Sequence, residues 1–177
     1  AGYTPLAISS EPWQLRFLVD AILLSKGGEK VFRDIFNPKV PIAGTRDLLL
    51  DTFRAFLALK PYTDKTKAKN KWNDNINAVA DGTAAAQFMG DFAKGELLEA
   101  KLEPGKDFFC EIAPGNQGIM LYGVDVFALL KVDEPVLKAG QNLLVNTVLD
   151  QKVQGTYISK KGGIPVRKDV DISNLDA

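Results

Sequence analysis

The chain contains no histidine and a single cysteine, Cys110. Without histidine, no side chain has an ordinary pKa near neutrality, and Ser-His-Asp and Cys-His nucleophile systems are excluded outright. The same scarcity argues against zinc, which is held chiefly by cysteine and histidine. An excess of charge of one sign is also lacking. Twenty-two basic and 22 acidic residues cancel, so no long-range field gathers nucleic acid or anionic lipid. Long hydrophobic runs are absent too: the longest, IMLYGVDVFALL from Ile119 to Leu130, is too short to span a bilayer and is broken by Asp125. No basic segment followed by an apolar one opens the sequence, though an exported and matured chain would have lost it. The dinucleotide, P-loop, Ser-x-x-Lys, His-Glu-x-x-His and EF-hand patterns do not occur. No cofactor or metal is therefore expected.

What is present suits one ordinary folded domain. The 177 residues are 46% apolar and 25% charged, enough to bury about 70% of the unfolded surface. A short strand is expected in TPLAIS (Thr4 to Ser9). A buried helix follows, capped by Ser10, carrying Pro12 in its first turn and Trp13, Phe17, Ala21 and Leu24 at helical spacing. Gly27 and Gly28 should stop it. Leu49, Phe53, Phe56 and Leu57 mark a second helix ended by Pro61, and Trp72, Ile76 and Val79 a third ended by Asp81-Gly82. From Ala84 the texture changes to short apolar strands, AAAQFM, DFFCEIA and IMLYGVDVFALL, separated by a helix-like GDFAKGELLEA and the Pro114-Gly115 turn. Asp133 should cap a further helix through Val136, Leu143, Leu144 and Val148. Alternating strands and helices predict an α/β fold.

Several residues invite a functional reading beside a structural one. Trp72 begins a helix between Lys71 and Asn73, in polar surroundings; it is either a packing tryptophan or a ligand platform. Phe92 follows Gly90-Asp91 at a strand-to-helix junction, where Asp91 can cap the helix and the ring can equally be core. Asp125 stands within an apolar strand pattern, where its charge needs a salt bridge, a hydrogen bond or a polar ligand. Lys160 and Lys161 open the stretch KKGGIPVRKDVD, whose glycines and proline suit a fixed turn better than a linker. Cys110, in an apolar strand pattern, reads as an inert core thiol.

The order of four segments carries a resemblance. WNDNINAVADGTAAAQFMGDFAKGE (Trp72 to Glu96), PGKDFFCEIAPG (Pro104 to Gly115), YGVDVFALLK (Tyr122 to Lys131) and KKGGIPVRKDVD resemble successive landmarks of the sugar-binding proteins of bacterial ABC importers, family-1 extracellular solute-binding proteins of the glucose/mannose-binding branch. The resemblance extends to TPLAISSEPWQLRFLVDAILLSKGG and covers essentially the whole chain. It implies a two-lobed α/β periplasmic-binding-protein fold of class II. The present chain would cover mainly the C-terminal lobe: residues 1–122 in that lobe, 123–158 returning to the other, and 159–177 forming the hinge and cleft turn. It further implies a non-enzymatic, monomeric protein in the periplasm or anchored at the cell surface. Such a protein would bind a glucose- or mannose-like monosaccharide and hand it to membrane permease subunits. The family's sugar-lining positions fall here on Trp72, Phe92, Asp125 and Lys161. The chain departs from the family in carrying Phe92 where tryptophan is usual and Gly163 where serine is usual. By the same resemblance, Cys110 would be half of a disulfide in the intact protein. The rival expectation from the residues is a carbohydrate-active hydrolase using two carboxylates.

Overall fold

The computed structural model describes residues 2–173; the last four residues of the 159–177 segment lie outside them. The chain forms two compact units, one ending at Leu121 and one beginning at Tyr122. In the first unit the order is β1 (Thr4–Ala7), α1 (Pro12–Ile35), α2 (Arg46–Ala58), α3 (Trp72–Ala80), β2 (Ala84–Gln87) and α4 (Phe92–Glu99). This mixture of helix and strand is compatible with the expected α/β class.

β1 and β2 pair in parallel, with Thr4 opposite Ala84 and Leu6 opposite Ala86. Parallel neighbours cannot be joined by a tight turn, so the crossover is the helical run α1 to α3. The small side chains Ala7, Ala78 and Ala84 form one buried cluster where α3 meets both strands. The second cluster is Ile76, Ala93, Leu97 and Phe108, flanked by Trp72, Val79, Ala80, Met89 and Leu102. Ile76 and Val79 fall on the α3 face that the sequence periodicity marked.

The structure corrects several local expectations. Ser10 does not cap α1; its hydroxyl donates to the Ala68 carbonyl at 2.8 Å instead, and Glu11 occupies the cap position. Trp13 and Phe17 are each 38% exposed rather than buried. The Gly27-Gly28 pair does not end the helix. Gly28 (φ 73°) kinks it and the helix resumes to Ile35, while a side chain on Gly27 would come within 2.8 Å of Leu48 of α2. The first glycine thus serves helix–helix approach and the second the bend. Asp91 and Asp133 make no side-chain cap; Asp150 caps the helix that follows it, its carboxylate accepting from the Val153 amide at 2.9 Å.

The expected strands over DFFCEIA and IMLYGVDVFALL do not form. A strand is stabilised by its hydrogen-bonded neighbours, and among the described residues none flanks either segment. Of the first, only Phe108 is buried. Cys110 is an exposed free thiol, not a core one. The second segment is exposed from Met120 to Leu130, Val126 at 81%.

In the second unit α5 (Pro135–Val148) and α6 (Gln151–Lys161) form a helical hairpin around Asp150. The chain after α6 is clasped back onto it. Arg167 donates to the Leu149 carbonyl at 3.0 Å and forks onto Asp169. Gln154 accepts from the Arg167 amide and donates to the Val148 carbonyl, and Val170 is buried against Gly155. No helix of the described residues is long and apolar enough to cross a membrane.

The Pro114-Gly115 turn is tied to α1 by Asn116, a buried residue whose Nδ2 donates to the Ala21 carbonyl at 3.0 Å. Asn116→Ala should cost about 1–2 kcal/mol. For a chain of this size that lowers the unfolding midpoint by roughly 2–8 °C. Calorimetry checks this, and an unchanged midpoint would show that the bond does not hold the turn.

Candidate functional site

Trp72 is the first residue of α3, and three contacts fix it. Asp74 accepts from the Lys71 amide at 2.9 Å, closing the helix start and placing an acid where the helix dipole favours it. Gln87, the last residue of β2, donates from Nε2 to the Trp72 carbonyl at 2.9 Å. The indole meets the Phe92 ring edge-on, centroids 5.1 Å apart at 89°. Such pairs contribute about 0.5–1.5 kcal/mol beyond simple burial.

Phe92 opens α4 in the same way that Trp72 opens α3. Its ring lies where a side chain on Gly90 would stand, only 2.7 Å from the Cβ that alanine would place there. The Gly-Asp-Phe sequence therefore lets this aromatic fold back over the strand end. A third ring joins them. Trp13, in the first turn of α1, lies 6.3 Å from Phe92 and 5.6 Å from Phe17. Periodicity assigned Trp13 to the buried stripe of α1. The signal that could have set it apart is its position in a helix's first turn, which it shares with Trp72 and Phe92. Buried amides follow two of these rings in sequence: Gln14 after Trp13, and Asn75 three residues after Trp72. Trp72 and Phe92 are half-buried, and Trp72 also packs against the Ile76–Leu97–Phe108 cluster. The core and platform readings of this residue are thus compatible.

In the second unit the structure pairs the other two predicted residues with each other. Lys161 Nζ donates to Asp125 Oδ2 at 2.8 Å across 36 residues of sequence, and the same ammonium lies 5.8 Å from the centre of the Tyr157 ring. The sequence argument for Asp125 needs correcting. Its side chain is 88% exposed, so no burial penalty demanded a partner; the carboxylate is presented to solvent with Lys161 beside it. The hydrogen bond from Lys161, and then its charge, hold the Asp125 carboxyl below the usual carboxylate range.

Lys161 is placed by its helix end. It is the last residue of α6, and Gly162 (φ 78°) closes the helix through its amide to the Ile158 carbonyl. Gly163 continues in the positive-φ region at 129°, where a side chain is strained. The departure from serine at this position therefore accompanies a backbone that favours glycine. The chemistry on offer is an acceptor–donor pair in the second unit and a row of ring edges and faces in the first. Both suit a polyhydroxylated, partly apolar ring. No group of three or more His, Cys, Asp or Glu side chains able to hold a metal occurs among the described residues.

The chain matches no protein-family model. It is similar over its whole length to curated proteins named probable sugar-binding periplasmic proteins. One from Rhizobium meliloti is 35% identical over 176 residues, 99% of this chain and 42% of the relative. Another, from Mesorhizobium japonicum, is 34% identical over 177 residues, 100% of this chain and 42% of the relative. A more distant one, an uncharacterized ABC transporter extracellular-binding protein of Pyrococcus horikoshii, is 25% identical over 177 residues, 99% of this chain and 38% of the relative. The chain therefore spans about two fifths of the length of the curated relatives it matches.

Two measurements test the local geometry. The native pKa of Asp125 lies below its unfolded value. The pair's small contribution is therefore fully present above the ordinary carboxylate pKa of about 3.9 and is lost as pH falls through the lowered native value. An NMR titration of the Asp125 carboxyl should show the depressed midpoint, and should show it return to the ordinary range in Lys161→Gln. Gly162→Ala should destabilise α6's end by about 1–2 kcal/mol, because only glycine tolerates its backbone without strain. Denaturant unfolding that left the midpoint unchanged would contradict this.

Proposed function

We propose that this chain belongs to the solute-binding component of a bacterial ABC importer, works in the periplasm, and binds a sugar for delivery to membrane permease subunits. The observation that carries the reading is whole-chain similarity to proteins named probable sugar-binding periplasmic proteins. The local chemistry supports it: Trp72 and Phe92 meet through their rings, and Asp125 and Lys161 through an ion pair. Each pair offers what a pyranose uses, a flat apolar surface in one case and charged hydroxyl partners in the other.

In this reading the ligand is a monosaccharide of the glucose or mannose type, and Trp72, Phe92, Asp125 and Lys161 contact it. Trp13 extends the aromatic surface. The intact protein is a monomer of two lobes that closes around the sugar. The exposed apolar residues of 120–130 and the unburied face of α5 take their partners from the other lobe. Cys110, exposed and free here, pairs with a second cysteine of the intact protein. The protein performs no chemistry on the sugar.

A thermal-shift screen of monosaccharides tests the reading, because a ligand that binds only the folded state raises the unfolding midpoint. In the intact protein glucose or mannose should raise it, and Asp125→Ala and Trp72→Ala should each abolish the shift. Asp125→Ala should do so with little loss of stability in the absence of sugar, since its carboxylate is exposed. The 177-residue chain alone should bind monosaccharide poorly, because a hinge site needs groups from both lobes. Release of a chromophore from an aryl glycoside would instead mark a hydrolase. A variant that kept the sugar shift but melted many degrees lower would return Asp125 to a structural role.

A further inference from the structure

Helix α6 carries an uneven charge that the neutral chain does not: three lysines and no acidic residue within QKVQGTYISKK. Its residues line up in two rows at a spacing of four, Lys152–Thr156–Lys160 and Val153–Tyr157–Lys161, so that each row runs along one side of the helix. Together these six residues line an open groove of about 570 Å³ on the helix surface, whose lining is almost wholly apolar, made by side-chain stems and the Tyr157 ring.

Helix stabilisation does not account for all of this charge. Lys160 and Lys161 stand in the last turn, where the dipole favours a cation, but Lys152 stands in the first turn, where it disfavours one. Among the described residues, neither Lys152 nor Lys160 forms an ion pair with a carboxylate. Between them the groove presents the exposed ring of Tyr157, the Val153 side chain and the Thr156 hydroxyl. Ammonium groups only donate, so the ligand that satisfies them carries acceptors, and a carboxylate does so with charge-assisted bonds. The ring offers a surface for an apolar sugar face, and the hydroxyl a partner for a sugar OH.

We propose that this groove is a subsite for a carboxylate-bearing sugar, a hexuronic acid or a glycan ending in one. The inference rests on the sugar-binding reading and deepens it. The subsite adjoins the ion pair through Lys161, which lines the groove while donating to Asp125. It shifts the expected ligand from a neutral hexose toward an acidic one.

Amide NMR of the intact protein that contains this chain, titrated separately with D-glucuronate, D-glucose and acetate, tests this. D-glucuronate should perturb the Thr156 and Tyr157 amides saturably. In the exposed-surface variant Lys152→Gln/Lys160→Gln, its half-saturation concentration should rise about tenfold, the effect of losing a charge-assisted hydrogen bond. Glucose should bind that variant as it binds the parent chain. An unchanged glucuronate titration in the variant overturns the subsite, as does acetate matching glucuronate at equal concentration, which would mean simple anion binding. If glucose moves the Trp72 indole while glucuronate leaves α6 untouched, the subsite alone fails. If neither sugar moves any resonance, the sugar-binding reading fails and the subsite with it.

Discussion

The parallel pairing of β1 with β2 is the constraint on which the first unit depends. Because a parallel neighbour must be reached by a crossover, three helices lie between two four-residue strands: α3 packs on both strands, and α1 and α2 pack on each other. The pairing also decides what gathers at one end. Trp13 follows the carboxyl end of β1 and Phe92 that of β2, while Gln87, the last residue of β2, bonds to the Trp72 carbonyl at the start of α3. Three helix starts, each bearing a ring, thus come to the carboxyl end of the strand pair. That is the end at which open α/β sheets ordinarily present a ligand site.

The second unit is held by polar contacts rather than by a core. Arg167 and Gln154 do most of the fastening: one guanidinium and one amide collect the Leu149 and Val148 carbonyls that the turn between α5 and α6 leaves over. Their partners Asp169 and the Arg167 amide lie on the returning chain. This clasp is what a turn bearing Lys161 needs. A lysine on a free tail loses much conformational entropy when it is fixed, whereas one on a capped helix end with a following glycine pair is already positioned.

The exposed apolar side chains of the second unit point to the same economy. Val126, Phe127, Val136 and Leu143 all face solvent, and a patch of this kind on a soluble protein ordinarily meets a partner. The chain spans about two fifths of its curated relatives. A segment whose sequence reads as strand but which lacks a neighbouring strand is what a β-rich element looks like apart from its sheet.

The sequence by itself determined most of the helices, though not α6 (Gln151–Lys161), which it read only as part of the stretch leading to the lysine turn. The apolar spacing around Leu49–Leu57 and Trp72–Val79 settles which segments coil, because a helix satisfies its own backbone; it gives the covered face of α3 but not of α2, where Phe53 and Leu57 are exposed and Thr52 is buried. It also set the turn at Gly162-Gly163, since a positive φ selects glycine locally. It could not decide strands: AAAQ and VDVF are comparably apolar, yet only the first pairs, because a strand's hydrogen bonds come from elsewhere in the chain. The tertiary structure alone decided that Trp13 stands beside Phe92 instead of in the α1 stripe. It alone decided that Gly28 bends a helix that the sequence had ended there. It alone joined Asp125 to Lys161 on an exposed surface, where an apolar strand pattern had suggested a buried charge. Contacts between residues 36 or 79 positions apart depend on how elements pack, and neither spacing nor composition encodes that.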